Sequence, residues 1–287
     1  MSEVVFDKDK ILNWYNRKDI YLLITTYNDF KYVTFMAYEF NGKSCTPRRF
    51  QSMAKTKYGY DWTLKFNAIS RKPTSMYRDV DSWKSSRPFF SVKSEIYKEQ
   101  RKEFFAKKNY RKHIYASDFY FDIDGKDVYE SWEMAYKVIE LLRKFNIMFN
   151  IVCTGKKGFQ IFIPNHKAIK KEYIYNEGHE YNTHQILAFN IALYLEDTEK
   201  LIDMTAYSDL RFMKQPYSLD GRNMCPIIPL KYEEFIDFIN YKGKYNPYTD
   251  IDYWSNKETF LSRGFSFLGT SDMKELEKYI DNWVDKQ

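Results

Sequence analysis

The chain has 287 residues, of which 44% are hydrophobic and 19% aromatic, and this composition excludes an intrinsically disordered protein because apolar burial can offset the entropy cost of ordering. The net charge of +6 suits a phosphate-rich partner, although many metabolic enzymes carry a similar charge. Three widely spaced cysteines argue against a disulfide framework and against a zinc site. Because the sequence has no long apolar run and no apolar signal segment, we expect an intracellular, cytoplasmic protein without a membrane partner.

The first 110 residues are predicted to form an N-terminal αβ unit. Within residues 21–66, the runs YLLITTY, KYVTFMAYEF and WTLKFNAI favour β-structure and are separated by turn signals, which predicts a small mixed sheet. Residues 91–110 alternate charged side chains with Phe and Ile and are predicted to be helical. No Pro/Gly/Ser-rich linker interrupts the chain, so we expect one domain over residues 1–287.

A basic cluster, KKNYRKH, occupies residues 107–113. Its aromatic ring can stack on a nucleic-acid base while the neighbouring charges hold phosphates. The alternative is an ordinary solvated surface, because runs of charge are usually of that kind. The candidate nucleic-acid-binding residues are Lys107, Lys108, Tyr110, Arg111 and Lys112.

Residues 111–230 are predicted to form a core that carries the motifs. The strand ASDFYFDID is followed by the breaker GKD and then by a helix over residues 128–145, with Asp127 and Glu130 as its capping box. Two strands, IMFNIVCT and FQIFIP, flank the tight GKKG turn.

Two further helices and a short strand complete the predicted elements. Periodicity predicts a helix over residues 183–195, and LRFMKQPYSL reads as a short strand that Pro216 ends. Residues 231–287 are predicted to be a C-terminal helical segment, with its last helix from about residue 271 to 284.

Asp122 and Asp124 are two residues apart on a predicted strand, so their side chains point to the same side. Two like charges about 6 to 7 Å apart at a strand end are unfavourable unless a cation lies between them, and a divalent metal is the simplest one. The alternative is an exposed strand end, with Asp124 and Gly125 as ordinary turn residues.

A third carboxylate and a basic cradle occur downstream in the same region. Asp203 follows two aliphatic residues, and it is either a further metal ligand or a helix terminus. Arg211 and Lys214 precede Pro216. The turn between the two strands can offer backbone N–H groups and ammonium groups to phosphate oxygens through Thr154, Gly155, Lys156 and Lys157.

Together these motifs resemble the archaeo-eukaryotic primase superfamily, which includes the small catalytic subunit of DNA primase and the primase-polymerases. The resemblance is carried by FDID (residues 121–124), TGKKGFQ (154–160), ID (202–203) and KQPYSLD (214–220). It covers about residues 117–222, with the motifs in the order that the family has.

The resemblance implies a two-metal site for Mg²⁺ or Mn²⁺ and a pocket for a nucleoside triphosphate. The implied metal ligands and catalytic residues are Asp122, Asp124 and Asp203. The implied nucleotide-binding residues are Thr154, Gly155, Lys156, Lys157, Gln160, Arg211, Lys214 and Ser218.

Two positions depart from the family pattern. Gln160 and Asp220 stand where the second and third motifs usually have histidine. Glutamine can donate a hydrogen bond to phosphate but cannot become a cation, and aspartate repels phosphate unless it binds metal or turns away. The cysteines needed for the zinc module common in these primases are lacking, so no zinc is expected.

The expected fold is α/β, or α+β, with a central antiparallel or mixed sheet like that of an RNA-recognition motif, an N-terminal αβ unit and the active site in the cleft between them. The expected function is metal-dependent, template-directed transfer of nucleotides from NTPs or dNTPs on single-stranded DNA. A primase large subunit or a helicase is the implied protein partner. The alternatives are a catalytically impaired primase-like module that binds nucleic acid or a polymerase, and a DxDG-type phosphatase.

Overall fold

The computed structural model describes residues 7–26, 32–37, 48–52, 73–79, 81–83, 106–108, 111, 114–155, 157–163, 172–176, 178–209, 211–220, 224–256 and 272–287. Among them, no helix has the length and apolar character needed to cross a membrane. The helices and strands, in chain order, are α1 (Lys8–Tyr15), α2 (Lys18–Thr26), β1 (Tyr32–Ala37), β2 (Arg48–Ser52), β3 (Pro73–Asp79), β4 (Asp81–Trp83), β5 (Ile114–Ser117), β6 (Phe119–Asp124), α3 (Val128–Lys144), β7 (Asn150–Cys153), β8 (Gly158–Ile163), β9 (Tyr173–Asn176), β10 (His179–Asn182), α4 (Thr183–Tyr194), β11 (Phe212–Lys214), β12 (Pro229–Leu230), α5 (Tyr232–Phe238), α6 (Ile251–Ser255) and α7 (Lys274–Val284).

Two four-stranded antiparallel sheets form the framework. The first has the order β11-β3-β1-β2 and the second the order β12-β7-β8-β6. β11 is the strand predicted before Pro216, and it joins the sheet of the N-terminal region through pairs such as Lys214 with Tyr77. The predicted α/β class with an antiparallel sheet is therefore confirmed. The division of the chain into units remains a prediction.

The second sheet packs against α3, which begins and ends almost where the sequence predicts. Val138, Ile139 and Leu142 of α3 are fully buried, as are Phe159 and Ile161 of β8. A side chain of this size stabilises the fold by about 1.5–3 kcal/mol when it is fully buried. This packing holds the strand that carries the acidic pair in a fixed plane.

One predicted strand is wrong. The run YLLITTY contributes to helix α2, in which Ile20, Leu23 and Ile24 are buried at helical spacing. β-Branched residues suggested a strand, but positions three and four apart lie on one face of a helix and can be buried together there. The run WTLKFNAI lies outside the described residues, as does most of the helix predicted over residues 91–110.

The N-cap of α3 is partly as predicted. Asp127 accepts hydrogen bonds from the backbone N–H groups of Tyr129 and Glu130. The Glu130 carboxylate instead accepts from the N–H of Lys126, so the reciprocal half of the predicted capping box is not formed. The turn after β6 is still closed by side chains of this helix.

Candidate active site

Asp122 and Asp124 lie at the end of β6, the outer strand of the second sheet, where Asp122 is half-buried and Asp124 is exposed. Asp122 is directly opposite Gln160 of β8, and Asp124 is opposite Gly158. A Cβ atom on Gly158 would lie 1.9 Å from the carbonyl oxygen of Ile123 and 2.5 Å from Oδ1 of Asp124. Only glycine therefore permits β8 to approach β6 this closely at the acidic pair.

Asp203 lies beside this pair because its segment pairs with the free edge of β6. The Asp203 N–H donates to the carbonyl of Asp122 at 2.8 Å, and the Asp124 N–H donates to the carbonyl of Leu201 at 2.9 Å. Ile123 and Ile202 are antiparallel partners between these two bonds. Since directly opposed residues share a sheet face, Asp122, Asp124 and Asp203 project to the same side.

Asp203 also ends the extended segment that contains it. It is the N-cap of a 3₁₀ helix (Met204–Tyr207), and its two carboxylate oxygens accept from Thr205, the backbone N–H at 2.8 Å and the hydroxyl at 2.9 Å. Asp203 can thus be a helix terminus and, in the same conformation, the third carboxylate beside Asp122 and Asp124.

The pKa of Asp122 is raised from the usual aspartate value to about 7. Burial is the main cause, followed by the negative charge of Asp124, and Asp203 adds to the effect. A hydrogen bond from the Gln160 amide, at 3.1 Å, and the ammonium of Lys214 act in the opposite direction. At neutral pH Asp122 is therefore a carboxyl group poised between its charged and neutral forms.

The donor atoms fit a hard divalent cation. Carboxylate and amide oxygens are ligands that Mg²⁺ and Mn²⁺ prefer. The Oε1 atom of Gln160 is buried beside Asp122 without a hydrogen-bond partner, and an unpaired buried acceptor is costly. Within the described part of the chain, however, no three His, Cys, Asp or Glu side chains converge closely enough to form a metal site. Coordination by all three aspartates would require their side chains to move closer together.

The GKKG turn lies between the end of β6, which carries Asp122 and Asp124, and the loop after β11. The N–H and hydroxyl of Thr154 both donate to the Gly158 carbonyl at 3.0 Å, which closes the turn. Gly155 has φ +93, and a Cβ on it would lie 2.8 Å from the Cβ of Cys225. Lys157 is exposed, whereas Lys156 lies outside the described residues. The turn is therefore fixed at its ends and leaves the Lys157 side chain accessible.

Lys214 reaches this turn from the other sheet. Its ammonium nitrogen donates to the Thr154 carbonyl at 2.7 Å and to Oδ2 of Asp220 at 2.5 Å. Lys214 belongs to β11 of the first sheet, whereas Thr154 follows β7 of the second. One side chain thus connects the two sheets at the place where the acidic residues lie.

The remaining predicted nucleotide-binding residues differ in accessibility. Arg211 is exposed, and its Nε donates to the Ser208 hydroxyl at 2.6 Å. Ser218 is fully buried, and its hydroxyl donates to the Gln215 carbonyl at 2.7 Å. Arg211 can contact a ligand directly, and Ser218 shapes the loop behind it.

No protein-family profile matches the chain, and no curated protein matches it in sequence. Among solved structures, it is similar to the polymerase domain of ligase D from Mycobacterium tuberculosis, determined in complex with DNA. The TM-score is 0.56 at 12% sequence identity, with 91% of this chain and 94% of that chain covered. The chain has a primase-polymerase type of fold. At this identity the likeness concerns the fold alone.

The basic cluster of residues 107–113 contributes to an ion-pair network in this fold. Arg111 forms two hydrogen bonds with Glu180, at 2.8 and 2.7 Å, and two with Asp209, at 2.9 and 2.7 Å. Its guanidinium also stacks on the ring of Tyr173, 3.4 Å from the centroid. Lys108 pairs with Glu180 as well. This network fastens the β9–β10 hairpin to the segment after Asp203.

The other members of the basic cluster are placed differently. Lys107 is exposed, and Tyr110 and Lys112 lie outside the described residues. Nucleic-acid binding by the cluster stays a prediction. Arg111 and Lys108 are directed to carboxylates, so contact with a phosphate would require them to exchange partners.

Two residues near the N-terminus support the loop that contains Ser218, and no local sequence pattern indicates this role. The indole N–H of Trp14 donates to the Tyr217 carbonyl at 2.9 Å, and the Leu219 N–H donates to the Tyr15 hydroxyl at 3.0 Å. The partners in these bonds are more than 200 residues apart in sequence. Only an alignment of related sequences or the fold itself reveals such contacts.

Proposed function

We propose that the protein is a metal-dependent nucleotidyl transferase of the archaeo-eukaryotic primase superfamily, a primase or primase-polymerase that uses NTPs or dNTPs on single-stranded DNA. The observation that carries this proposal is the placement of Asp122, Asp124 and Asp203 on one sheet face beside Lys214 and the 154–158 turn. The primase-polymerase type of fold supports it.

In the proposed mechanism, the three aspartates hold two divalent cations, Mg²⁺ or Mn²⁺. When bound, such ions activate a 3′-hydroxyl and neutralise the charge that develops on the leaving pyrophosphate. Lys214 and Lys157 hold the phosphate oxygens, and the Gln160 amide keeps the Asp122 carboxylate oriented. Asp122 would hold a metal in its ionised form, because only the carboxylate is a strong ligand.

The proposal is tested by incubating the protein with single-stranded DNA, labelled nucleotides and Mg²⁺ or Mn²⁺, with and without an annealed primer. The double variant Asp122→Asn/Asp124→Asn should make no product. A matched control exists because Asp250, Ile251 and Asp252 repeat the same triplet at the start of α6. Asp250→Asn/Asp252→Asn should retain activity after correction for any loss of folded protein, and full activity in the first double variant contradicts the proposal.

A second candidate function is a non-catalytic primase-like module that binds nucleic acid or a polymerase partner. It is favoured by Gln160 and Asp220 at the two histidine positions, and by the engagement of Lys214 with Asp220. This candidate requires salt-dependent binding of single-stranded DNA with no nucleotide incorporation. A primase large subunit or a helicase is the partner to test by co-purification.

A phosphatase is the third candidate, because the sequence Asp122 to Gly125 has the DxDG pattern. It is separated from the others by turnover of p-nitrophenyl phosphate with Mg²⁺. Hydrolysis that Asp122→Asn abolishes, without any nucleotide incorporation by the unaltered protein, would favour it over nucleotidyl transfer.

A further inference from the structure

Asp220 is a buried carboxylate at the start of a closed loop. Its side chain is only 4% exposed. Its N–H donates to the Cys225 carbonyl at 2.8 Å, its own carbonyl accepts from the Met224 N–H at 2.9 Å, and Leu219 pairs with Pro226 beside it. The backbone at Asp220 is therefore fixed, and its carboxylate cannot follow a departing partner into solvent.

Lys214 is the partner that neutralises this carboxylate. A lysine ammonium has three N–H donors, and two of them are directed to Asp220 and to the Thr154 carbonyl. One donor is left for a ligand oxygen. The same ammonium lies close enough to Asp122 to lower the pKa of that carboxyl group. Lys214 is thus held between the 154–158 turn and the acidic end of β6.

We propose that Asp220 is a positioning residue that fixes the Lys214 ammonium for the triphosphate of the incoming nucleotide and, through its own charge, weakens binding of that triphosphate. This inference rests on the proposed nucleotidyl transfer. An ammonium group that is already in position stabilises the negative charge that develops on the phosphate oxygens, because the side chain does not have to reorganise during the reaction. The carboxylate that fixes it lies beside the place where phosphate oxygens would bind, and like charges at such distances repel.

The variant Asp220→Asn separates these two effects because it keeps the shape of the side chain and removes its charge. The KM for the nucleotide should fall about 5-fold, which corresponds to the removal of one screened like charge. The kcat should fall roughly 10- to 100-fold, because the lysine is no longer fixed in the productive position. A merely structural role would reduce the amount of active protein and leave KM unchanged.

The variant Lys214→Met tests whether Asp220 acts through the lysine. In the Lys214→Met background, Asp220→Asn should cause no further loss of kcat, since residues that act as a unit are not additive. The matched control is Asp252→Asn, which removes an exposed aspartate that is paired with Lys10 at 2.7 Å. This control should keep both KM and kcat at the values of the unaltered protein.

Binding of dATP with Mn²⁺, measured by calorimetry without DNA, distinguishes failure of this inference from failure of the proposed function. If the unaltered protein binds dATP but incorporates no nucleotide, nucleotidyl transfer is rejected. Tighter binding of dATP by Asp220→Asn than by the unaltered protein then still supports the inference. The inference is overturned if Asp220→Asn changes neither binding nor kinetics, if its effect on kcat persists in Lys214→Met, or if the unaltered protein does not bind dATP.

Discussion

Gln160 lies directly opposite Asp122 across the β6–β8 ladder, and its amide donates to the Asp122 carboxylate at 3.1 Å. This bond favours the charged form of Asp122 and so offsets part of the rise in pKa that burial causes. A glutamine at this position therefore acts on the acidic group itself, in addition to any contact that it makes with phosphate.

Replacing Gln160 by leucine should make metal binding require a higher pH. Without the amide donor, the pKa of Asp122 rises further, and the metal must compete with a more tightly held proton. The midpoint of Mn²⁺ binding, followed by calorimetry between pH 5 and 9, should move upward by about one unit. Gln160→His retains an N–H donor and should keep the midpoint near that of the unaltered protein. Identical midpoints for all three proteins would show that the bond is unimportant.

The contribution of Asp122 to the stability of the metal-free protein should decrease as pH rises from about 4 to 7. In this range the folded protein holds a proton on Asp122 that the unfolded chain, with an ordinary aspartate pKa near 3.9, has released. The folded state therefore binds more protons, and a rise in pH favours unfolding.

Asp122→Asn should remove this pH dependence. Its melting temperature in EDTA should exceed that of the unaltered protein by about 5 °C above pH 7, and the two should agree near pH 4. Thermal unfolding at several pH values checks this. A constant difference at every pH would mean that the titration of Asp122 does not govern stability.

Gly158→Ala should strongly destabilise the protein. The added methyl group would lie 1.9 Å from the Ile123 carbonyl oxygen, and β8 cannot move away without losing its pairing with β6. The expected loss is about 3 kcal/mol or more in the free energy of unfolding. Gly243→Ala is the control, because its Cβ would meet nothing within 4 Å and only its φ of +76 opposes it. Gly243→Ala should lower the free energy of unfolding by about 1 kcal/mol. Equal losses in both variants would contradict the close approach of β8 to β6.

Arg111→Met should loosen the β9–β10 hairpin. The change leaves the carboxylates of Glu180 and Asp209 without their shared guanidinium, and we expect a loss of about 2 kcal/mol at neutral pH. Hydrogen bonding with Arg111 lowers the pKa of Glu180, so this stabilisation is present above the ordinary glutamate pKa and is lost as the pH falls.

Arg111→Lys should recover only part of the loss, since an ammonium cannot bind both carboxylates and stack on Tyr173 in the same way. Urea unfolding and amide hydrogen exchange in the hairpin measure these effects. If both variants keep full stability but lose binding to single-stranded DNA, Arg111 serves nucleic-acid binding rather than the hairpin.

Much of the fold could be predicted because it depends on local patterns. The apolar spacing of α3 and the alternation around the GKKG turn place these elements within a few residues of their observed bounds. The register of Asp203 with Asp122 could not be read from the chain, because it is set by pairing between segments about 80 residues apart. The Lys214–Asp220 pair could not be predicted from the sequence either, because it depends on the turn at Tyr217, whose φ is +68.

The position of β11 limits how the chain can be divided. This strand follows the motif-bearing core in sequence but pairs with β3, which belongs to the first 110 residues. A fragment that starts near residue 111 would retain every predicted metal ligand, yet it would remove β3 and with it the pairing of Lys214 with Tyr77, and so leave an exposed edge on β11. Such edges promote aggregation. The N-terminal region therefore supports the strand that carries Lys214, and a fragment without it would hold this lysine only through its bonds to Thr154 and Asp220.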